Sequence, residues 1–88
     1  MKNGDNEKFV GIVESIYNLS IGMSIIHVCN KNEAIVLQVG QRLIAIKSDR
    51  VVKKLAIRGI VFETGDIGIN SASISLDIIG AELWLNTI

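Results

Sequence analysis

Short apolar runs, some of them alternating with polar residues, recur along this 88-residue chain and predict β-strands rather than helices. Isoleucine and valine dominate the apolar positions, and such β-branched side chains suit a pleated, half-buried surface. The alternation is cleanest over 74–78 and 83–86. Turn residues recur about every eight to twelve positions, which is typical of a barrel or a sandwich. We therefore predict an all-β fold, a small β-barrel or sandwich of about seven or eight short strands.

Six earlier segments are also predicted strands, namely 9–17, 21–29, 34–39, 42–46, 60–63 and 67–70. In the first of them we expect Phe9, Val13 and Tyr17 on one face. Val10 and Ile12 are then expected on the opposite face. In the second strand, residue 21 and every second residue after it should share one face, because successive side chains of a strand point to opposite sides.

Three turns are predicted from residues that accept unusual backbone angles. The segment Asn30–Glu33 is rich in asparagine, which tolerates the left-handed conformation. Gly40 and Gln41 separate two predicted strands, and a two-residue loop with glycine first is the pattern of a type II′ hairpin. Thr64–Asp66 is the third predicted turn.

The stretch 47–54 fits two different structures. Ser48 or Asp49 could cap a short helical turn, because both side chains accept hydrogen bonds from the backbone at a helix start. Alternatively, the chain continues as a strand over 51–57. The fold prediction therefore includes one short helical turn near residues 48–54 as the alternative to that strand.

The polar N-terminus, residues 1–8, is predicted to be a flexible tail, followed by a single β domain over residues 9–88. The tail lacks the apolar stretch of a signal peptide. No run of about 18 apolar residues exists, so we expect no membrane span. One cysteine, Cys29, cannot form an intramolecular disulfide, and this composition predicts a cytoplasmic location.

The apolar content changes the picture, because it exceeds what a small core needs. Hydrophobic residues make up 49% of the chain, and the eight glycines raise the apolar share to roughly 58%, against about 45–50% in ordinary globular domains. A well-filled β core is one explanation. The other, which we favour, is a homo-oligomer that buries a second apolar face.

The net charge is zero, but the charges are segregated along the sequence. Six basic residues form the candidate interaction surface: Arg42, Lys47, Arg50, Lys53, Lys54 and Arg58. Asp49 is the only acid among them, whereas four acids and no base follow residue 58. This basic segment could contact nucleic-acid phosphates, meet the acidic surface of another subunit, or form a solvated face balanced by acids nearby in the fold.

Few residues offer catalytic or metal-binding chemistry. His27 and Cys29 lie on one face of a predicted strand together with Met23, a donor set that suits copper(I) or zinc. Structural zinc takes four ligands, whereas the chain has one histidine and one cysteine. We therefore predict a partly buried histidine beside a small apolar cysteine, with no enzyme activity, no metal and no cofactor.

Three segments resemble the small molybdate-binding β-barrels called Mop or TOBE domains, namely 35–40, 48–55 and 69–76. In that family a strand and a turn precede a short serine-capped helical stretch that ends in leucine, and a late strand follows. The resemblance implies an oligomeric barrel that binds an oxyanion through backbone amides and hydroxyls, here those of Ser48, Ser71 and Ser73. The chain lacks the family's Ser-Ala-Arg-Asn opening, and Asn70 stands where the family has a lysine.

Taken together, the residues predict a non-catalytic β domain that acts through self-assembly or by binding a protein partner. The alternative is a small-ligand or oxyanion binder of the Mop or TOBE kind. A second alternative is nucleic-acid binding through the basic segment 42–58. No membrane partner is expected.

Overall fold

A computed structural model of the protein describes residues 8–19 and 22–86, and over these residues the fold is all-β, as predicted. The predicted tail lies outside the described residues apart from Lys8, and so does Ile21. Seven strands form: β1 (Phe9–Asn18), β2 (Met23–Cys29), β3 (Arg42–Lys47), β4 (Arg50–Ala56), β5 (Gly59–Val61), β6 (Asp66–Asn70) and β7 (Glu82–Leu85). Their number agrees with the prediction, although two predicted strands are replaced by other structures.

All seven strands join one sheet in the order β4-β3-β7-β1-β2-β6-β5, and neighbouring strands are antiparallel. The two edge strands, β4 and β5, follow each other in the chain with only Ile57 and Arg58 between them. The sheet therefore curls until its edges meet, and the Arg58 N–H donates to the Gly68 carbonyl of β6 at 2.8 Å. No ladder closes the sheet within the described residues, which leaves both barrel and sandwich open as descriptions.

The concave face of the curled sheet holds the core. In β2 the even-numbered residues Ser24, Ile26 and Val28 are buried, whereas the odd-numbered ones are half-buried on the outer face. The prediction that His27 and Cys29 share a face is therefore confirmed. The core comprises these hydrophobic side chains: Val10, Val13, Ile26, Val28, Leu43, Ala45, Leu55, Ile57, Ile67, Ile69, Ile78, Ala81 and Leu83.

The predicted faces of the first strand are wrong, because Val10 and Val13 are both core residues. Residues three apart in a regular strand point to opposite sides. Strand β1, however, has an irregularity opposite β7 between Phe9 and Gly11 and another opposite β2 between Val13 and Ser15. A β-bulge adds an unpaired residue and shifts the alternation, so the irregularity between Phe9 and Gly11 brings both valines inward, and the one after Val13 lets Ile16 also pack against the core.

The predicted hairpin at Gly40-Gln41 is wrong, because residues 34–39 form no strand. The Gln41 N–H donates to the Gln38 carbonyl, so Gly40, with φ of +96°, is the third residue of a four-residue turn. A positive φ at that position is typical of a type II turn, whereas a II′ turn requires it one residue earlier. Ile35 and Leu37 pack against the core without joining a ladder, and Val36 between them is exposed.

The predicted helical turn near residues 48–54 is also wrong, and the alternative strand is confirmed as β4. Ser48 and Asp49 form a two-residue turn with φ of +54° and +63°, the pattern of a type I′ hairpin. Leu55 then lies opposite Leu43 in the ladder, and both are buried. Burial of this apolar face outweighs the capping preference of the two turn residues.

The clean alternation over 74–78 does not form the predicted strand. Two single 3₁₀ turns, Ser71–Ser73 and Leu76–Ile78, occupy this region instead. The Asn70 side chain accepts from the Ala72 N–H and starts the first turn. Ile78 is fully buried while Leu76 is 71% exposed, so the alternation arises from one residue inserted under the sheet rather than from a pleat.

The Ser48-Asp49 turn gives a direct test of this hairpin. A double substitution, Ser48→Asn with Asp49→Gly, should stabilise the protein by about 1 kcal/mol, since both residues hold a left-handed conformation that Asn-Gly accepts most readily. Urea denaturation measures the change. A helical turn at the same place would instead lose about 1 kcal/mol on gaining a glycine, so a lower free energy of unfolding would contradict the hairpin.

Candidate interaction site

An apolar cavity of about 270 Å³ lies between the segment 31–37 and the strands β5 and β6. Aliphatic side chains from four strands and from the segment line it, namely Val10, Val28, Ile35, Leu37, Ile60 and Ile67. All six belong to the core or pack against it. The cavity is therefore an opening into the hydrophobic core at one end of the sheet.

Two exposed apolar side chains border this cavity. Phe62, in the turn between β5 and β6, is 94% exposed, and Val36 is 79% exposed. Leaving a phenylalanine in water forgoes about 1.5–3 kcal/mol that burial would contribute. An exposed apolar pair beside an apolar cavity is the kind of surface that marks a protein–protein or ligand contact. We call this surface the apolar mouth. It consists of Val36, Phe62 and the cavity between β5, β6 and the segment 31–37.

Hydrogen bonds hold the two sides of the apolar mouth in place. Asn32 fixes the segment to β1, because its side-chain amide donates to the Phe9 carbonyl at 3.0 Å and its N–H donates to the Val10 carbonyl at 3.0 Å. Across the opening, the Lys31 ammonium donates to the Thr64 carbonyl. The segment and the β5–β6 turn are therefore connected across the opening of the cavity.

The rim of the apolar mouth carries one charge of each sign. Lys31 and Glu33 both line the cavity, two residues apart in the chain. In the described part of the chain, no carboxylate lies within salt-bridge distance of Lys31, and no cation lies within that distance of Glu33. The rim is thus neutral in sum and polar at its edge, around an apolar centre.

A second polar feature lies on the outer face, where His27 is held between two carboxylates. Its Nδ1 is 2.7 Å from Asp66 Oδ1, and its Nε2 is 3.0 Å from Glu14 Oε1. A neutral imidazole donates from only one nitrogen, so donation to both carboxylates requires the protonated ring. The contacts join strands β1, β2 and β6, and Asp66 is the first residue after the turn that carries Phe62.

The histidine network was not visible in the sequence. The three residues lie 13 and 39 positions apart and meet only through strand pairing, with Ser15 opposite His27 and Ile26 opposite Ile67. The carboxylates approach different ring nitrogens, and the described residues contain no group of three or more His, Cys, Asp or Glu side chains placed to hold a metal ion. The arrangement thus orients the ring and links three strands.

The structure brings four of the six predicted basic residues together as two pairs. Lys47 and Arg50 are opposite each other at the Ser48-Asp49 turn. Arg42 and Lys54 line a recess towards the other end of the same hairpin. The two pairs lie at opposite ends of strands β3 and β4.

The remaining basic residues lie apart from these pairs. Lys53 is half-buried, and Arg58 is exposed in the link between β4 and β5. Lys47 also reaches the 3₁₀ region, because its ammonium donates to the carbonyls of Asp77 at 3.0 Å and Ile79 at 2.9 Å. It therefore has a structural contact in addition to its place in the predicted surface.

The serines implied by the Mop or TOBE resemblance are separated in the structure. Ser48 lies in the β3–β4 turn, whereas the Ser71 hydroxyl is 2.9 Å from that of buried Ser24. Ser73 lines the recess together with Arg42 and Lys54. Ser48 therefore lies at the turn between Lys47 and Arg50, whereas only Ser73 of the three lines the recess with Arg42 and Lys54.

No protein-family model, no curated protein and no solved structure matches the chain. Over residues 8–19 and 22–86, no helix is long and apolar enough to cross a membrane. The resemblance to Mop and TOBE domains and the cytoplasmic location stay predictions from the sequence.

The histidine network predicts unequal effects for its two carboxylates. The Asp66 side chain is 14% exposed and that of Glu14 is 57% exposed. We expect Asp66→Ala to lower the free energy of unfolding by about 1–2 kcal/mol and Glu14→Ala by less than about 0.5 kcal/mol, since exposed pairs contribute little. Urea denaturation measures both. In a His27→Ala background the Asp66 effect should largely vanish, and an undiminished effect there would show that Asp66 acts through other contacts.

Proposed function

We propose that this chain is a non-catalytic β domain that assembles with a second copy of itself through the apolar mouth. The observation that supports this most is the pairing of Phe62, which is 94% exposed, with an apolar cavity beside it. A protein that kept this surface in water would leave both a large ring and an open core unburied. A second copy supplies what each needs, because it brings its own Phe62 and its own cavity.

A two-fold arrangement makes the surface self-complementary. In an isologous dimer the same patch meets itself, so residue i contacts residue j and j contacts i. Phe62 of each copy can then enter the cavity of the other. A cavity of about 150 Å³ lined by aliphatic side chains accepts benzene, so the 270 Å³ available here has room for a phenyl ring.

The charges of the rim suit the same arrangement. Lys31 and Glu33 both lie on the rim, so a two-fold arrangement that brings Lys31 of one copy to Glu33 of the other pairs opposite charges at the edge of the interface. Opposite charges that meet at the edge of an interface favour its register. The zero net charge of the chain also means that two copies do not repel each other as whole molecules.

The composition supports this proposal independently. The apolar share of the sequence exceeds that of ordinary domains, and part of the excess is on the surface in Phe62 and Val36. Dimerisation would bury it. A reducing, cytoplasmic setting suits such a domain, since Cys29 is a single free cysteine and no disulfide is needed.

The proposal predicts that Phe62 controls the mass of the particle. Multi-angle light scattering should give the wild type twice the 9.6-kDa chain mass, whereas Phe62→Ser should give the single-chain mass, because loss of a central aromatic anchor costs about 2 kcal/mol or more per side. The free energy of unfolding of the separated chain should change little, since the side chain is exposed.

Leu76→Ser is the matched control for this experiment. Leu76 is also a large exposed apolar residue, at 71%, but it lies in a 3₁₀ turn and does not line the apolar mouth. It should leave the dimer intact. A wild-type particle of single-chain mass, or loss of the dimer on Leu76→Ser but not on Phe62→Ser, contradicts the proposal.

A further inference from the structure

An open recess of about 380 Å³ lies at the β3–β4 hairpin, away from the apolar mouth, and it is lined by Arg42, Lys54, Leu55, Ala56, Ser73 and Asn86. Two of these six residues are cations, and two more carry a hydroxyl and an amide. Among the described residues, no carboxylate lines the recess. Its chemistry therefore differs from that of the apolar mouth, and its role need not depend on dimer formation.

The strand register places the two cations on one face. Arg42 is opposite Ala56 and Ile44 is opposite Lys54, so Arg42 and Lys54 are diagonal neighbours on the outer side of the hairpin. Diagonal side chains of an antiparallel pair start about 7–8 Å apart. Both side chains are long enough to reach a single group between them, and both are exposed.

The hydroxyl of the recess comes from the first 3₁₀ turn. Asn70 starts this turn through its side chain, and the Ser71 hydroxyl is 2.9 Å from that of Ser24. The turn is thereby fixed to β2, which fixes Ser73 near β4. Within the described residues, the Ser73 hydroxyl has no hydrogen-bond partner, and neither Arg42 nor Lys54 has a carboxylate within salt-bridge distance.

We propose that this recess binds a phosphate group or a similar tetrahedral oxyanion. The guanidinium of Arg42 offers a planar, bidentate donor, and the ammonium of Lys54 offers a compact positive charge. Hydrogen bonds from such charged donors to phosphate oxygens are about twice as strong as neutral ones, and the Ser73 hydroxyl adds a neutral donor. Leu55 and Ala56 also line the recess, and the anionic group that it binds is either free or attached to a small molecule.

Inorganic phosphate is the first probe, added to the isotope-labelled full chain at constant ionic strength and followed by two-dimensional NMR. We expect saturable shifts at the amides of Arg42, Lys54 and Ser73. Arg42→Gln and Lys54→Gln should each weaken binding about tenfold, since each removes a charged hydrogen-bond donor. Ser73→Ala should weaken it about threefold. The spectra themselves report whether each variant is folded.

A matched pair of variants separates a built site from general attraction. Two double variants remove the same amount of charge. One combines Arg42→Gln with Lys54→Gln, and the other combines Arg50→Gln with Lys53→Gln. Only the first changes residues that line the recess. We expect phosphate binding to be lost in the first pair and retained in the second. Equal losses in both pairs, or shifts that sodium chloride reproduces, overturn the proposal.

Two further ligands identify the source of the anion. A phosphate monoester such as glycerol phosphate should bind at the same residues, and it should bind tighter than free phosphate if the recess serves a small molecule. A single-stranded thymidine oligonucleotide should not outcompete it. Oligonucleotide binding that is stronger than phosphate binding and depends on all six basic residues would assign the segment to nucleic acid and overturn the recess as a small-anion site.

Discussion

The structure depends most on how the chain passes from one edge of the sheet to the other at Ile57. This residue is fully buried, and both of its backbone groups are bonded, since its N–H donates to the Gln41 carbonyl and its carbonyl accepts from the Gly40 N–H. The next N–H, that of Arg58, donates to Gly68 of β6. A buried backbone group without a partner costs about 1–3 kcal/mol. These three bonds therefore fix the two-residue link, Ile57 and Arg58, that joins β4 to β5 at the opposite edges of the sheet.

The curl explains both candidate sites. The sheet bends around its concave face, and its core opens at one end. The segment 31–37 covers only part of the core there, and the uncovered part is the apolar mouth. The same bend brings β4 against the turn Ser71–Ser73, which creates the recess lined by Arg42 and Lys54. One surface is apolar with a neutral rim, while the other is basic. A single small domain thus has an apolar surface suited to a second copy and a basic recess suited to a small anion.

Much of the fold was predictable, and the failures have physical causes. Every second residue of β2 and β3 is buried because one face is core, and their apolar, β-branched residues located them, whereas β7 was located by its alternation of apolar and polar residues. The apolar run 34–39 and the alternation over 74–78 also predicted strands, but irregular chain there packs Leu37 against the core and Ile78 into it, and the sequence pattern does not separate this from a strand. The type I′ turn at Ser48-Asp49 was not predicted because neither residue is glycine, although both have a positive φ. Of the two bulges in β1, the one beside Gly11 has a sequence signal, since an isolated glycine within a strand often marks a bulge, whereas the one after Val13 has none.

The candidate sites were harder to predict, because strand pairing creates them. Nothing near Phe62 in the sequence sets it apart from a buried aromatic residue, and the basic segment became two pairs only through its own hairpin. In the proposed dimer, Phe62 of one copy occupies the cavity of the other. An isotope-filtered NOE experiment on a mixture of labelled and unlabelled chains tests it most directly. We expect intermolecular NOEs from the Phe62 ring to methyl groups of Val28 and Leu37, and a dimer whose intermolecular NOEs all lie elsewhere would rule out this interface.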